Sequence, residues 1–257
     1  MTESALTLRG VSKSFGGGDD PVVAMSDVDL TLAAGEFLTV VGSSGCGKST
    51  MLGIAAGLEE PTTGTVEVNG RVALMFQDAT LLPWLTARGN IDLALKLRGV
   101  RDRGPEVDRL LTVVRLQEWG DKRPHELSGG MRQRVALARC LAQGADIVLM
   151  DEPLGALDAM TRDHLHDEIE RVVASEGLSV IFVTHNVREA VRLGDRVVLM
   201  ATNPGRIVYE LDVDLPRPRR MDSAEVATRA ADLMDHLRAT AAPAAAPKQD
   251  ILERVRP

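Results

Sequence analysis

The chain has 257 residues, 30 basic and 37 acidic side chains, and a net charge of −7. With 44% hydrophobic and 26% charged residues it has the balance of an ordinary globular protein, which excludes wholesale disorder. Two cysteines cannot build a disulfide framework, the acidic balance argues against nucleic acid as a partner, and no apolar run approaches the roughly 18–20 residues of a membrane helix.

The start, MTESALTLRG, lacks the basic-then-apolar order of a signal peptide, so a cytoplasmic location is expected, with any membrane role peripheral. Residues 5–9 and 22–32 alternate apolar and polar positions and predict strands of an antiparallel sheet, separated by the turn Gly16–Gly17–Gly18. Phe37–Val41 is an unbroken apolar run, the pattern of a buried strand. Gly42–Thr50 reads as a glycine-rich loop and Met51–Gly57 as a helix. Val66–Val68 and Arg71–Phe76 predict strands joined at Asn69–Gly70 as a hairpin.

From about 88 to 143 the pattern is helical and predicts a helical subdomain inserted in the core. Strands return at Ile147–Met150, Val180–Thr184 and Arg196–Met200, with helices at about 158–175 and 186–193 between them. Strand alternating with helix predicts a parallel sheet covered on both faces. Residues 222–239 predict one more helix, before ATAAPAAAP, a low-complexity stretch read as a flexible tail. The expected organisation is one α/β domain over 1–220, then a C-terminal helix and tail over 221–257.

Gly42-Ser43-Ser44-Gly45-Cys46-Gly47-Lys48-Ser49-Thr50 fits G-x-x-x-x-G-K-[ST] between a strand and a helix. Its glycines let successive N–H groups converge on phosphate oxygens, and the helix start adds partial positive charge. Lys48 supplies a point charge for the β- and γ-phosphates, and the Ser49 hydroxyl a ligand for Mg²⁺. Cys46, inside this loop, is either a small filler or a thiol open to alkylation.

Strand Ile147–Met150 runs into Asp151 and Glu152, at the carboxyl edge where such sheets bind ligands. Asp151 is expected to hold Mg²⁺ and Glu152 to polarise an attacking water. His185 follows the next strand on the same edge and is expected at the γ-phosphate or the water. His164 and His166, two apart on a helix, cannot share a face and are assigned no metal.

Leu127-Ser128-Gly129-Gly130-Met131-Arg132-Gln133-Arg134 resembles the signature motif of the ATP-binding cassette (ABC) family. Gln77 in MFQD resembles its Q-loop, Gly155-Ala156-Leu157-Asp158 its D-loop, His185 its switch histidine, and Phe15 the aromatic that stacks on adenine. The resemblance covers about residues 5–220. It implies a P-loop NTPase fold: a RecA-like parallel core, an N-terminal antiparallel β subdomain and an inserted helical subdomain. It also implies an ATPase whose two sites lie across a cassette dimer, read as two copies of this chain. Each ATP would sit between the phosphate loop of one subunit and Ser128, Gly129 and Gly130 of the other. Asp158 would communicate between sites, and Gln77 would link γ-phosphate and Mg²⁺ to the helical subdomain.

FQDATLLPW at 76–84 and DLPRPRR at 214–220 resemble the nitrate/sulfonate/taurine group of importer ATPases, most of all those for aliphatic sulfonates. That implies a separate permease dimer, an extracytoplasmic substrate-binding protein, a peripheral place on the cytoplasmic membrane face, and a small anion as cargo. The competing reading is a soluble ABC ATPase remodelling another macromolecule. Leu81, Leu82, Trp84 and Leu85 are expected either to line a groove for a permease helix or to be buried on the helical subdomain. The RPRR run is expected to be a solvated loop or a contact for anionic lipid.

Overall fold

A computed structural model of the chain describes residues 3–16, 21–155 and 157–241. Gly17, Gly18, Ala156 and the tail beyond 241 lie outside the described residues. Two long strands come first, β1 (Ser4–Phe15) and β2 (Val22–Ala33), followed by β3 (Phe37–Gly42), α1 (Lys48–Ala55), β4 (Thr63–Val68) and β5 (Val72–Met75). Three helices follow, α2 (Ala87–Leu97), α3 (Gly104–Val113) and α4 (Gly129–Ala142). The remainder is β6 (Ile147–Asp151), α5 (Ala159–Glu176), β7 (Ser179–Thr184), α6 (Val187–Leu193), β8 (Arg196–Ala201), β9 (Arg206–Asp212) and α7 (Ala224–Ala241).

The main sheet has the order β5-β6-β7-β3-β8-β9, parallel except for β9, and a separate sheet has the order β2-β1-β4. Alternation along each buried strand divides the main sheet into two faces. Leu38, Val40, Ile147, Leu149, Ile181, Val183, Val198 and Met200 point to α1 and the small sheet. Phe37, Val148, Met150, Val180 and Phe182 point to the helices α2 to α5, and Val41, Val197 and Leu199 to α6 and α7. Both faces are covered, which is why these strands read as continuous apolar runs.

Two expectations are corrected. Asn69–Gly70 closes no hairpin, because β4 pairs with β1 and β5 with β6. The Asn69 N–H donates to Ala5 O at 2.8 Å and the Arg71 N–H to the Asp146 carboxylate at 2.8 Å. These bonds, distant in sequence, carry the chain from one sheet into the other, and a turn dipeptide alone cannot tell such a corner from a hairpin.

The RPRR run is an exposed loop at Arg217, Pro218 and Arg220, as expected, but Arg219 departs from that reading. Arg219 is 6% exposed and donates to the carbonyls of Val191, Gly194, Val213 and Leu215. Burial, with the charge of Arg217, pushes its guanidinium below the usual range. Arg217 pairs with Glu170 and Asp195, and Arg220 with Asp222. The segment is a clamp on the C-terminal end of α6, where a cation also meets the negative end of the helix dipole. Strand β9 is additional to the sequence reading. All its residues are at least partly exposed, so no buried apolar run marks it.

Candidate functional site

The phosphate loop links β3 to α1, and its shape depends on two tight approaches. A Cβ at Gly42 would stand 2.6 Å from Met200 O. Gly47 caps α1 at φ +88°, and a Cβ there would stand 2.9 Å from Ala24 O. Ser43, Ser44, Gly45 and Ser49 are exposed, and Thr50 is half-buried. Lys48 is 6% exposed, and its Nζ donates to Gly42 O at 2.8 Å and Ser43 O at 3.1 Å. Cys46 is fully buried beneath the loop, its Sγ 3.8 Å from Lys48 Nζ, and burial pushes its thiol up. Of the two readings of Cys46, the filler is the one this geometry supports.

Strand register brings the acids to this loop. β6 and β7 are parallel neighbours with Asp151 opposite Val183, and β3 sets Val41 opposite Thr184. Asp151, Glu152 and His185 thus leave the same edge as Gly42. Glu152 sits at φ +44°, a backbone region that is strained for a non-glycine residue, and its N–H donates to Val183 O at 3.0 Å. Its carboxylate lies between two partners, Lys48 Nζ at 3.9 Å and His185 Nδ1 at 3.0 Å. A carboxylate accepts, so Nδ1 of His185 is assigned the proton, which leaves Nε2 facing outward. The His185 side chain is 66% exposed.

The second set of residues comes from the helices. Ser128 caps α4, its Oγ accepting the Met131 N–H at 3.2 Å. A Cβ at Gly129 would stand 2.8 Å from the Leu157 side chain, and one at Gly130 2.7 Å from that of Thr161. The small residues let the start of α4 lie directly on the start of α5. Asp158 caps α5, accepting the Thr161 N–H at 3.0 Å, and its bonds to Thr161 hold the carboxyl below the usual carboxylate range. Gln77 is exposed just past β5, and its carbonyl accepts from Gln133 Nε2 at 2.7 Å. Gln77, Gly129, Asp151 and Leu157 line one cavity of about 540 Å³.

Lys48, Glu152 and His185 are therefore in direct contact, and Asp151, Gln77 and Gly129 surround one space. Phe15 stands apart on the small sheet, 42% exposed, with Lys13 Nζ 5.0 Å from its ring centroid. The sequence reading gave no role to Gln133 or to Arg139, which donates to Thr80 O at 2.9 Å and Ala79 O at 3.2 Å. Both tie α4 to the segment after Gln77. Their only sequence signal is a helix carrying polar residues on a face that should be apolar.

A family model described as ABC transporter matches residues 25–155. An aliphatic sulfonates import ATP-binding protein of Bacillus licheniformis is 44% identical over 229 residues, spanning 85% of this chain and 89% of the relative. A taurine import ATP-binding protein of Jannaschia sp. is 44% identical over 220 residues, 80% of this chain and 81% of the relative. Among solved structures, a bacterial ABC transporter cassette in dimeric form superposes with a TM-score of 0.72 at 31% identity, covering 82% of this chain and all of that one. The same cassette bound to ADP and Pi, after hydrolysis, gives the same values. By the family match, by relatives 44% identical over most of its length, and by a fold that sets Asp151, Glu152 and His185 beside the phosphate loop, the chain belongs to the ABC transporter family, as an ATP-hydrolysing cassette.

Proposed function

We propose that this cassette is the ATPase subunit of an importer, working with a second cassette on a separate permease, and that its cargo is a small anion of the aliphatic sulfonate or taurine class. The observation that carries the catalytic part is the convergence of Lys48, Glu152 and His185 on the phosphate loop, with 3.9 Å and 3.0 Å contacts to one strained glutamate. The cargo class rests on the names of the relatives, since the cassette itself has no contact with cargo to make.

Lys48 exchanges its carbonyl partners for the β- and γ-phosphates, helped by the amides at the start of α1. Glu152 accepts a proton from the attacking water. His185 holds that carboxylate through Nδ1 and turns Nε2 to the water or the γ-phosphate. Ser49, Asp151 and Gln77 offer a hydroxyl, a carboxylate and an amide oxygen. That is an all-oxygen set, with Gln77 and Asp151 on one cavity, and it suits Mg²⁺. When bound, the ion would neutralise charge developing on the phosphate oxygens. Phe15 offers an exposed ring for the adenine. Ser128, Gly129 and Gly130 complete the partner's site: the Ser128 oxygen caps its helix, so its proton remains for a phosphate. Asp158 lies beside them and passes the state of one site to the other.

No helix among the described residues is long and apolar enough to cross a membrane, so translocation requires the permease chain. Its docking place is the apolar surface after Gln77. Trp84 is 67% exposed, and Leu82, Leu93 and Leu97 line a cavity of about 680 Å³. A substrate-binding protein would deliver cargo on the other side.

The test is growth of a deletion strain on a panel of sole sulfur and nitrogen sources, complemented by wild type or by Glu152→Gln. Loss on alkanesulfonates or taurine, rescued by wild type alone, is the expected result. Loss on nitrate alone would move the cargo, and normal growth on every source would remove the importer reading.

A further inference from the structure

His185 sits between Thr184, the last residue of β7, and Asn186, the cap of α6. A buried polar cluster lies beneath this stretch. Glu189, 4% exposed, reaches back from the first turn of α6, with Oε2 on the Thr184 hydroxyl and Oε1 2.6 Å from Nε2 of His166. His166 belongs to α5 and is fully buried. The Thr184 oxygen accepts the Asn186 N–H at 3.0 Å, so its own proton goes to Glu189. As a carboxylate Glu189 only accepts, so Nε2 of His166 carries a proton. Asn186 Oδ1 in turn accepts the N–H groups of Arg188 at 3.1 Å and Glu189 at 3.3 Å.

Two features set this cluster apart from ordinary core packing. Burying a carboxylate is costly unless its lone pairs are used, and a hydrophobic residue would fill the position more cheaply. Also, the bond from Asn186 N–H to Thr184 Oγ spans His185 itself. It fixes the backbone on both sides of the residue whose Nδ1 meets Glu152, and Glu189 fixes the hydroxyl that makes it. His166 anchors the other carboxylate oxygen to α5, eight residues and about 12 Å along the helix from its cap, Asp158. The Nδ1 of His166 is buried without a hydrogen-bond partner, with Asp163 Oδ1 at 3.7 Å. The ring's hold is therefore concentrated on Glu189.

We propose that Glu189 is a positioning residue for ATP hydrolysis: through Thr184 it sets the backbone around His185, and through His166 it ties that setting to the helix that begins at Asp158. The inference rests on the reading of His185 given above. Glu189 touches neither nucleotide nor water, and its effect is on the placement of His185 against Glu152.

The test is steady-state hydrolysis and equilibrium ATP binding by the full chain in Thr184→Val, Thr184→Ser, His166→Leu and His166→Gln. Thr184→Val keeps the volume and removes only the hydroxyl. His166→Gln keeps a donor toward Glu189. Misplacement of a catalytic group by a fraction of an ångström should lower kcat about tenfold in the Val and Leu variants, with ATP affinity within about twofold of wild type. The Ser and Gln variants should recover most of the rate. Two results overturn the proposal: kcat within about twofold of wild type in the Val and Leu variants, or loss of rate and ATP binding together, the mark of a merely structural role. His185→Ala, measured alongside, separates the levels. Full activity there overturns the role of His185 and this inference with it. Loss there, beside a normal rate in Thr184→Val, overturns the positioning alone.

Discussion

Glu152 and His185 follow the ends of neighbouring strands of one sheet, with Lys48 at the start of α1 beside them, whereas Ser128 and Gly129 begin α4 and Trp84 precedes α2 in the helical region between β5 and β6. The strands under the first group are almost wholly buried; every residue of β3 and β7 is. Side chains such as Phe182, with no exposure, each contribute about 2 kcal/mol by burial. The position of the acids is thus over-determined by packing and register. The link from α4 to the segment after Gln77 is of another kind. Beside the apolar packing of Ala79 and Leu81, it runs through side-chain to backbone hydrogen bonds from Gln133 and Arg139, each worth about 1 kcal/mol net. The difference shows how one cassette can combine fixed chemistry with an adjustable connection. Placement by many buried contacts resists change, while the few polar bonds at the Gln77 segment can be exchanged at small cost.

The largest effect is expected where the fixed half acts. Glu152→Gln keeps the shape but removes the proton acceptor, and should lower hydrolysis about 10³-fold, roughly 4 kcal/mol in barrier, while an ATP-bound dimer accumulates. Phosphate release and size-exclusion chromatography with ATP read both effects. A rate within tenfold of wild type would break the assignment of the general base.

Arg219→Ala probes the rigidity of the same half from behind. Val213 O keeps the Leu215 N–H at 2.9 Å, but the substitution leaves the carbonyls of Val191, Gly194 and Leu215 without their guanidinium donor. Buried and unsatisfied, they should cost about 3 kcal/mol, visible in denaturant unfolding, with ATP affinity in the folded protein unchanged. A stability change under about 1 kcal/mol would mean that the clamp is dispensable.

The adjustable half should respond differently. Trp84→Ala, at an exposed position, should leave unfolding free energy within about 0.5 kcal/mol of wild type and weaken permease binding about tenfold. Full permease binding in a stable variant would remove Trp84 from the docking surface. Gln133→Leu is expected to have the smallest effect. It frees the Gln77 carbonyl and should lower permease-stimulated hydrolysis about threefold, with basal hydrolysis little changed. An equal fall in both rates would show that Gln133 serves the chemistry rather than the connection.

Motif residues that act through their own backbone neighbourhood were legible before the fold. The phosphate loop needs a strand, a curl of glycines and a helix start, all contiguous, so Gly42–Thr50 declared itself. The apolar runs ending in Asp151 and preceding His185 were equally local, and so was the helix start at Ser128. Contacts made at a distance were not legible. Arg219 reads as surface charge, because nothing near it in sequence shows the carbonyls it meets. Glu189 carries no signal that draws a reading, His166 is only denied a metal, and Asn69–Gly70 reads as a hairpin turn.

By itself, then, the sequence determined the strand and helix pattern of the core and the chemistry of the phosphate loop, since periodicity and motif spacing act over a few residues. Only the tertiary structure decided that Glu152 bridges Lys48 and His185, that α4 lies on α5 through Gly129 and Gly130, and that Glu189 meets Thr184 and His166 beneath His185. Those arrangements depend on sheet order and helix packing, which bring together residues up to about a hundred positions apart and leave no local trace in the chain.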